Sequence, residues 1–178
     1  EKGEKVLVTG KSGQGKSTLL QLLLGFARPD EGQLLVNGQI IKPGDFREIR
    51  KQFAYVNQDV SLRLGKAGEV LKEIAGFSGN TYDGNLDEAL ANLFEFEPNL
   101  LDKDTEELSG GERQRLGIML AIMLDRPAFL LDEVTSGLDR ELQEKVVQYF
   151  SETEKTVITV SHDKEWLKYD TFRKVDLS

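Results

Sequence analysis

The sequence predicts an α/β fold built on a mostly parallel β-sheet. Short apolar segments rich in β-branched residues alternate with segments of helical periodicity along most of the chain. A glycine-rich stretch joins the first predicted strand to the first predicted helix, and polar residues follow later strands. Because ligands of parallel α/β sheets bind at the carboxyl ends of the strands, we expect a ligand site there.

The N-terminal part of the chain begins with a strand, a glycine-rich turn and a helix. The strand is the apolar run KVLVT at Lys5–Thr9, and the leucine-rich segment from Ser17 has helical character up to Gly25, a residue type that favours helix ends. A turn cluster, RPDEG, leads to a short strand over 33–36, and the pair Asn37-Gly38 predicts a hairpin turn. The next predicted elements are a helical turn at Phe46–Arg50 and a strand over 51–56.

Residues 61–108 differ in character from the segments on either side. Strand signals fade, and helical periodicity recurs over 68–75 and 86–96, around a polar loop over 76–84. We therefore expect a helical subdomain inserted between two strands of the main sheet.

The C-terminal part returns to alternating helices and strands. A helix is predicted from Ser109 to the break at Pro127, because apolar residues recur there at helical spacing. Asp139 is a suitable N-cap for the next helix, which we expect to run to about Ser151. Trp166 is expected to pack against the sheet. The predicted strands are AFLL over 128–131, TVITV at Thr156–Val160, suited to the centre of the sheet, and FRKV over 172–175, suited to an edge.

Composition narrows the classes of function. With 178 residues, 39% hydrophobic and 30% charged, the chain has the makeup of a globular domain with a full core. Its net charge of −8 argues against broad nucleic-acid binding, so no nucleic-acid partner is expected. The absence of cysteine and the single histidine exclude disulfides, thiolate metal sites and multi-histidine zinc sites. No apolar run approaches the roughly 20 residues of a membrane span.

Residues 10–17, GKSGQGKS, fit the phosphate-binding pattern G-x-x-x-x-G-K-[ST] between a strand and a helix. Glycines let backbone N–H groups approach phosphates, and the helix N-terminus adds positive potential. In such a loop Lys16 reaches the β- and γ-phosphates, and the Ser17 hydroxyl binds Mg²⁺. The expected nucleotide-binding residues here are Gly10, Ser12, Gly13, Gln14, Gly15, Lys16, Ser17 and Thr18. A chance match is the alternative, and the flanking strand and helix argue against it.

Two further stretches carry polar groups suited to phosphate chemistry. Asp132 and Glu133 end a buried strand, where Asp132 is placed to hold Mg²⁺ and Glu133 to polarise a water near the γ-phosphate. A simple turn cap is the alternative for this pair. LSGGE over 108–112 begins a helix with a hydroxyl and exposed backbone N–H groups, which predicts a second anion site. Ser109 and Glu112 also fit a capping box, and both interpretations can hold together.

Together these stretches resemble the motif set of ABC-family ATPases. The resemblance rests on GKSGQGKS, LSGGE, the strand-end Asp-Glu pair and SGLD over 136–139, in the family's order. Gln58 and His162 match the single glutamine and single histidine of the family's motif set in order and setting. It covers essentially the whole chain. It implies an α/β fold with a P-loop NTPase core, a mostly parallel sheet, a reduced antiparallel β subdomain and an inserted helical subdomain. The implied division is a single ABC ATPase domain over 1–178, with a RecA-like core of about 1–60 and 109–178 and a helical subdomain of about 61–108.

The resemblance also implies a role for each motif residue. ATP would lie between the phosphate loop of one domain and the signature of a second domain, in a homo- or heterodimer arranged head to tail. Gln58 would contact Mg²⁺ and the attacking water, Glu133 would be the general base, and His162 would hold the γ-phosphate, Glu133 and the water in place. Asp139 would link the two active sites. The implied signature residues are Ser109, Gly110, Gly111 and Glu112, the Mg²⁺ ligands Ser17, Gln58 and Asp132, and the catalytic residues Glu133, His162 and Lys16.

By the same resemblance, the leading function is ATP hydrolysis that drives membrane transport. The domain would lie at the cytoplasmic face of the membrane, and a transmembrane domain or subunit would contact the region from Gln58 to about Ala75. A soluble ABC ATPase of DNA repair or translation is the alternative, although the long insertions and basic surfaces of that class are not evident. A nucleotide sensor without turnover is disfavoured by the intact Lys16, Asp132 and Glu133. A G domain or small-molecule kinase would lack the LSGGE signature.

The sequence departs from the family's pattern near its start. No aromatic residue precedes the phosphate loop to stack on adenine, and the first strands of the antiparallel subdomain have no counterpart. We expect a truncated start, because the chain begins abruptly with Glu1 and not with Met; weakened recognition of the base is the alternative. The signature ends in Glu112, where glutamine is common in the family.

Overall fold

A five-stranded parallel sheet forms the centre of the computed structural model, which describes residues 1–36, 38–77, 88–97 and 99–178. The strands are β1 (Lys5–Thr9), β2 (Leu35–Val36), β3 (Gln39–Ile40), β4 (Phe53–Val56), β5 (Ala128–Asp132), β6 (Thr156–Val160) and β7 (Phe172–Asp176). The large sheet has the order β4-β5-β6-β1-β7, and every neighbouring pair in it is parallel. β2 and β3 form a separate antiparallel pair. The predicted fold class is confirmed, with β6 central and β7 at an edge.

Helices connect these strands. They are α1 (Lys16–Leu24), α2 (Phe46–Arg50), α3 (Ala67–Phe77), α4 (Glu88–Leu93), α5 (Gly110–Met123) and α6 (Arg140–Glu152), with short 3₁₀ turns at Leu100–Asp102 and Lys164–Lys168. Among the described residues, no helix combines the length and the apolar character needed to cross a bilayer.

The core has two apolar layers, one on each face of the sheet. Because neighbouring strand residues point to opposite faces, Leu7 packs with Leu116 of α5 and Phe150 of α6, whereas Val8 packs with Leu20 of α1. Trp166 is fully buried and stacks on Phe150 at a ring-centroid distance of 6.4 Å, as expected for a residue that packs against the sheet. The sheet is therefore covered by helices on both faces, and its carboxyl edge is left for a site.

The strand register aligns the polar segments that follow the strands. Val8 of β1 pairs with Val160 of β6, and Val160 pairs in turn with Asp132 of β5. On the far side of β5, Val56 of β4 pairs with Leu131. The phosphate loop, the Asp-Glu pair and the residues after β4 and β6 therefore share the carboxyl edge of the sheet.

Several element boundaries differ from the sequence-based predictions. β4 begins at Phe53 and not at residue 51, because residues 51–52 form a turn after α2. α5 ends at Met123, before Pro127, because Asp125 adopts left-handed backbone with a φ of 49°. The second helix of the inserted region ends at Leu93, just before Glu95, which has a φ of 51°. β2 covers only the second half of the predicted strand over 33–36.

The inserted region lies between β4 and β5 in the chain and contains α3 and α4. α3 continues to Phe77, into the segment predicted as a polar loop over 76–84, and the rest of that loop lies outside the described residues. Asn37, predicted to form the hairpin turn with Gly38, also lies outside them, while β2 and β3 confirm the hairpin itself. The boundaries of core and helical subdomain stay a prediction.

Candidate functional site

The phosphate-binding pattern forms a tight loop that caps the start of α1. Gly13 and Gly15 have left-handed backbone, with φ of 83° and 85°, which favours glycine at both positions. The Lys16 ammonium lies across the loop and donates to the carbonyl oxygens of Gly10 at 2.9 Å and Lys11 at 3.1 Å. Gln14 accepts a hydrogen bond from the Lys11 N–H through its side chain. The loop is therefore held in shape by its own side chains, with a cation at its centre.

A cavity of about 270 Å³ opens beside this loop. It brings together groups from three separate parts of the chain: the phosphate loop, the segment after β4 and the turn after β5. The lining residues are Ser12, Gly13, Gly15, Lys16, Ser17, Thr18, Gln58 and Glu133. Gly10 and Gln14, also predicted to bind nucleotide, do not line this cavity and instead shape the loop.

Asp132 lies at the end of β5 against the first turn of α1. The Ser17 hydroxyl donates to its Oδ1 at 3.0 Å, and the residue is only 6% exposed. Burial raises the pKa of the Asp132 carboxyl, and the neighbouring Glu133 charge adds to this effect, while the Ser17 hydrogen bond and Lys16 oppose it. A buried carboxylate with a hydroxyl beside it is an oxygen donor set of the kind that hard cations prefer.

Glu133 adopts left-handed backbone, with a φ of 50°, an uncommon conformation for a residue with a side chain. Its N–H still donates to the Val160 carbonyl at 2.9 Å, so the turn stays attached to β6. The turn directs the carboxylate toward His162, whose Nδ1 lies 2.9 Å from Glu133 Oε1. The Glu133 side chain is 11% exposed and that of His162 is 75% exposed. The structure thus places a mostly buried carboxylate in contact with an imidazole that faces solvent.

The signature segment starts α5 with the capping box that the sequence predicts. The Ser109 hydroxyl accepts from the Glu112 N–H at 3.2 Å, and Glu112 Oε2 accepts from the Ser109 N–H at 2.7 Å. Glu112 also pairs with Lys103 at 2.7 Å. The Lys103 ammonium, followed by the bonds from Ser109, lowers the pKa of the Glu112 carboxyl to about 2. Ser109 and Gly110 are exposed, and neither lines the cavity beside the phosphate loop.

A second cavity, of about 290 Å³, separates the start of α5 from the segment after β4. Gln58 borders this cavity as well as the first one. Gln114 also lines it and is 5% exposed, and its Nε2 has no hydrogen-bond partner within the described part of the chain. Further along the helix, Gly117 lies directly against Val60. The segment that carries Gln58 is therefore packed between the phosphate loop and α5.

Asp139 is the N-cap of α6, as predicted. Its Oδ1 accepts from the Leu142 N–H at 3.0 Å. The turn that precedes it lies close to the signature, since a side chain on Gly111 would begin 3.4 Å from the Gly137 carbonyl oxygen. The 136–139 segment thus follows the turn at Glu133 and lies close to the start of α5.

Three residues at the site were not predicted from the sequence: Lys103, Gln114 and Gly117. Lys103 and Glu112 form an ion pair across a folded loop, nine positions apart in the sequence. This spacing matches neither helix nor strand periodicity, so the sequence does not indicate the pair. Gln114 lies in a helix that is predicted from the spacing of its apolar residues, and Gly117 is notable in the sequence only for its low helix propensity. A polar residue and a glycine inside a helix that is buried over 116–121 are a local signal of close packing, although they do not identify the partner.

Comparisons with known proteins agree on one family. The model of the family described as "ABC transporter" matches residues 1–136. The cell division ATP-binding protein FtsE of Escherichia coli K12 is 35% identical over 190 residues, which cover 99% of this chain and 83% of FtsE. An ATP-dependent lipid A-core flippase of Cupriavidus pinatubonensis is 37% identical over 153 residues, covering 81% of this chain and 26% of the flippase. The energy-coupling factor transporter ATP-binding protein EcfA1 of Mycoplasmopsis synoviae is 29% identical over 174 residues, covering 93% of this chain and 65% of EcfA1.

Solved structures give the same result. The chain superimposes on the ATP-binding cassette MJ0796, in a dimeric post-hydrolysis state bound to ADP and Pi, with a TM-score of 0.79 and 26% identity. The match covers 98% of this chain and 82% of that one. A bacterial Atm1-family ABC exporter with ATP bound gives a TM-score of 0.80 at 28% identity, with 98% of this chain and 32% of the exporter covered.

The fold and the site thus define a nucleotide-binding domain with a phosphate loop at the edge of a parallel sheet. The chain belongs to the ABC transporter family, of which it is an ATP-binding, ATPase domain. It spans about a quarter of the flippase and about two thirds of EcfA1. Its relatives do not favour the alternative of a DNA-repair or translation ATPase.

Proposed function

We propose that this domain hydrolyses ATP at a site completed by a second ABC ATPase domain, and that hydrolysis drives transport through a transmembrane domain or subunit. The observation that carries this proposal is the cavity in which Lys16, Gln58 and Glu133 meet. The signature turn at Ser109 and Gly110 is exposed and lies outside that cavity. A head-to-tail partner would supply the signature from the other side, and MJ0796 is described as dimeric.

In this proposal each residue of the cavity has a separate role in phosphoryl transfer. Lys16 and the N–H groups of the loop bind the phosphates and neutralise their charge. Glu133 orients the attacking water and accepts its proton, and the His162 contact at 2.9 Å holds the carboxylate in position. Water attacks the γ-phosphorus in line, the bond to the bridging β–γ oxygen breaks, and ADP and phosphate are released. The partner's signature adds positive potential to the γ-phosphate.

Mg²⁺ is the cofactor that the donor set fits. Ser17 and the buried Asp132 lie 3.0 Å apart, and Gln58 borders the same cavity, so these three residues would hold the ion directly or through water. When bound, Mg²⁺ neutralises charge on the β- and γ-phosphate oxygens. Asp132 is suited to this role because its carboxylate is buried beside the Ser17 hydroxyl, which gives a cation two oxygen donors.

The relatives support the proposed partner and location, since they include a flippase and the ATP-binding protein of an energy-coupling factor transporter. The chain would then lie at the cytoplasmic face of the membrane. The region from Gln58 to about Ala75 would receive the membrane partner, because it connects the nucleotide cavity with α3. Asp139, beside the signature turn, would link the two active sites of the dimer.

Two substitutions test the composite site. Glu133→Gln should slow turnover by roughly 10²–10⁴, the usual contribution of a general base, while ATP still binds and holds a dimer together. Ser109→Arg should abolish hydrolysis and leave ATP binding to the monomer intact, because Ser109 contacts only the partner's nucleotide. Phosphate release and equilibrium ATP binding are the measurements, with Glu31→Gln, on the exposed surface, as a matched control for Glu133→Gln.

The results separate the parts of the proposal. Unchanged turnover in Glu133→Gln would show that another group is the base. Loss of ATP binding in Ser109→Arg would show that the signature serves its own domain. Turnover that stays proportional to enzyme concentration at every dilution would show that one domain is sufficient.

A further inference from the structure

Lys103 occupies a junction between the inserted region and the signature helix. It follows the 3₁₀ turn at Leu100–Asp102, and its carbonyl oxygen accepts from the Ala67 N–H at 3.0 Å, at the start of α3. Its ammonium pairs with Glu112 Oε1 at 2.7 Å, at the start of α5. Lys103 thus contacts the first turns of two helices, one through its backbone and one through its side chain.

The segment around Lys103 is firmly attached to the chain that follows Gln58. Asp104 forms a β-bridge with Lys66, and the Thr105 N–H donates to the Gly65 carbonyl at 2.9 Å. The Thr105 hydroxyl donates to the Arg63 carbonyl at 2.9 Å, and Thr105 is 3% exposed. These bonds hold the backbone around Lys103 in place, and the Lys103 ammonium reaches Glu112 from this position.

Glu112 carries a charge that its capping role does not require. The capping box needs one oxygen to accept from the Ser109 N–H, and a neutral glutamine side chain supplies such an oxygen. The carboxylate is mostly buried, with 15% of the side chain exposed, and lies in the first turn of the helix. Under the proposed function this turn faces the γ-phosphate of the partner's ATP. The negative charge of the Glu112 carboxylate would repel the negatively charged phosphate unless a cation compensates it.

We propose that Lys103 is a positioning residue for the hydrolysis reaction, because it neutralises the Glu112 carboxylate and holds it in the capping box. The signature turn then presents its N–H groups to the partner's phosphate without an uncompensated negative charge beside them. The inference rests on the proposed function, in which the signature acts on the nucleotide of a second domain. It assigns to Lys103 a role that acts through Glu112 and not by contact with ATP.

The test is a double-mutant cycle between Lys103 and Glu112. Lys103→Met is made alone and together with Glu112→Gln, and ATP-dependent dimerisation with Mg²⁺ is measured by sedimentation in the Glu133→Gln background, alongside kcat and KM in the active protein. We expect Lys103→Met to weaken dimerisation on the order of tenfold when Glu112 is present. With Glu112→Gln the same substitution should change it by less than about twofold, because no charge remains to compensate.

Two controls separate charge from structure. Lys51→Met removes a lysine from an exposed pair with Glu48, also at 2.7 Å, and should leave dimerisation within about twofold. Lys103→Arg keeps the charge and should retain most of the function. Urea unfolding of each variant checks the fold, and Lys103→Gln replaces Lys103→Met if the latter does not fold.

The outcomes distinguish this inference from the proposed function. A penalty for Lys103→Met that is equal with and without Glu112→Gln would show that Lys103 is merely structural, and would overturn the inference. If Ser109→Arg retains hydrolysis, the composite site itself is wrong. Loss of activity in Ser109→Arg, together with rescue of Lys103→Met by Glu112→Gln, supports both.

Discussion

The contact between Gly117 and Val60 makes a quantitative prediction about how α5 is coupled to the Gln58 segment. A Cβ atom added at Gly117 would lie 2.8 and 2.9 Å from the two methyl carbons of Val60. Because carbon atoms are at their optimal separation near 3.5–4.0 Å, Val60 would have to move by roughly 0.7 Å. Val60 follows Gln58 by two residues, so the displacement would arise next to a residue that lines the cavity beside the phosphate loop.

The magnitude follows from two opposing effects of Gly117→Ala. Alanine favours the helix over glycine by about 1 kcal/mol, whereas forcing an extra carbon into a packed site costs about 1–3 kcal/mol. Gly76→Ala in α3 is the matched control, because nothing lies within 4 Å of the added carbon. We expect the free energy of unfolding of Gly117→Ala to be about 1–3 kcal/mol below that of Gly76→Ala, measured by urea denaturation.

The functional part of this prediction is that Gly117→Ala lowers ATP turnover, while Gly76→Ala leaves it unchanged. Val60→Ala removes both methyl carbons that the new Cβ would meet, so the double variant Gly117→Ala with Val60→Ala should recover turnover relative to Gly117→Ala alone. Equal stabilities of the two glycine variants, or a loss of turnover that Val60→Ala does not relieve, would refute the reasoning.

Further predictions concern the caps and the core. Asp139→Ala should lower the free energy of unfolding by about 1 kcal/mol because α6 loses its N-cap. Asp139→Asn keeps the cap, so a loss of turnover in Asp139→Asn would show that the negative charge of Asp139 contributes to hydrolysis. The Glu112 carboxyl has a folded-state pKa of about 2, below its ordinary value, so it stabilises the fold above pH 4.5 and loses this effect as the pH falls toward 2. The difference between wild type and Glu112→Gln in urea midpoint should therefore shrink over that range, and a constant difference would contradict the assignment. Trp166→Phe should cost about 1–2 kcal/mol in thermal unfolding, because the Thr135 hydroxyl loses its 3.2 Å bond from the indole N–H.

Much of the fold and the order of the motifs could be predicted because their causes are local. The apolar runs at Lys5–Thr9 and Thr156–Val160 are strands because β-branched and apolar side chains fill a sheet buried on both faces. The phosphate loop is recognisable because its glycines meet a backbone requirement within the same few residues. Ser109 and Asp139 could be assigned as helix caps for the same reason, since each bonds an N–H group three residues away.

What the sequence did not indicate depends on residues that meet only after folding. The end of α5 at Met123 is set by the left-handed backbone of Asp125, whereas the apolar pattern runs to Leu124 and the sequence offers Pro127 as the obvious break. The left-handed turn at Glu133 and its contact with His162 depend on the register of β5 and β6. Lys103 pairs with Glu112 because the inserted region folds back on the start of α5, which no spacing rule anticipates.

Gln58 lies between the phosphate loop and the start of α5. It borders the cavity of the phosphate loop and the cavity at the start of α5, so a displacement of its side chain would change the lining of both. Under the proposed function, the first cavity holds this domain's nucleotide and the start of α5 meets the partner's nucleotide. A glycine at position 117 lets the helix rest directly on Val60, and a packed contact without a void transmits displacement better than a loose one. We therefore expect the segment after β4 to couple the two nucleotides of the proposed dimer, and loosening it should uncouple them before it unfolds the domain.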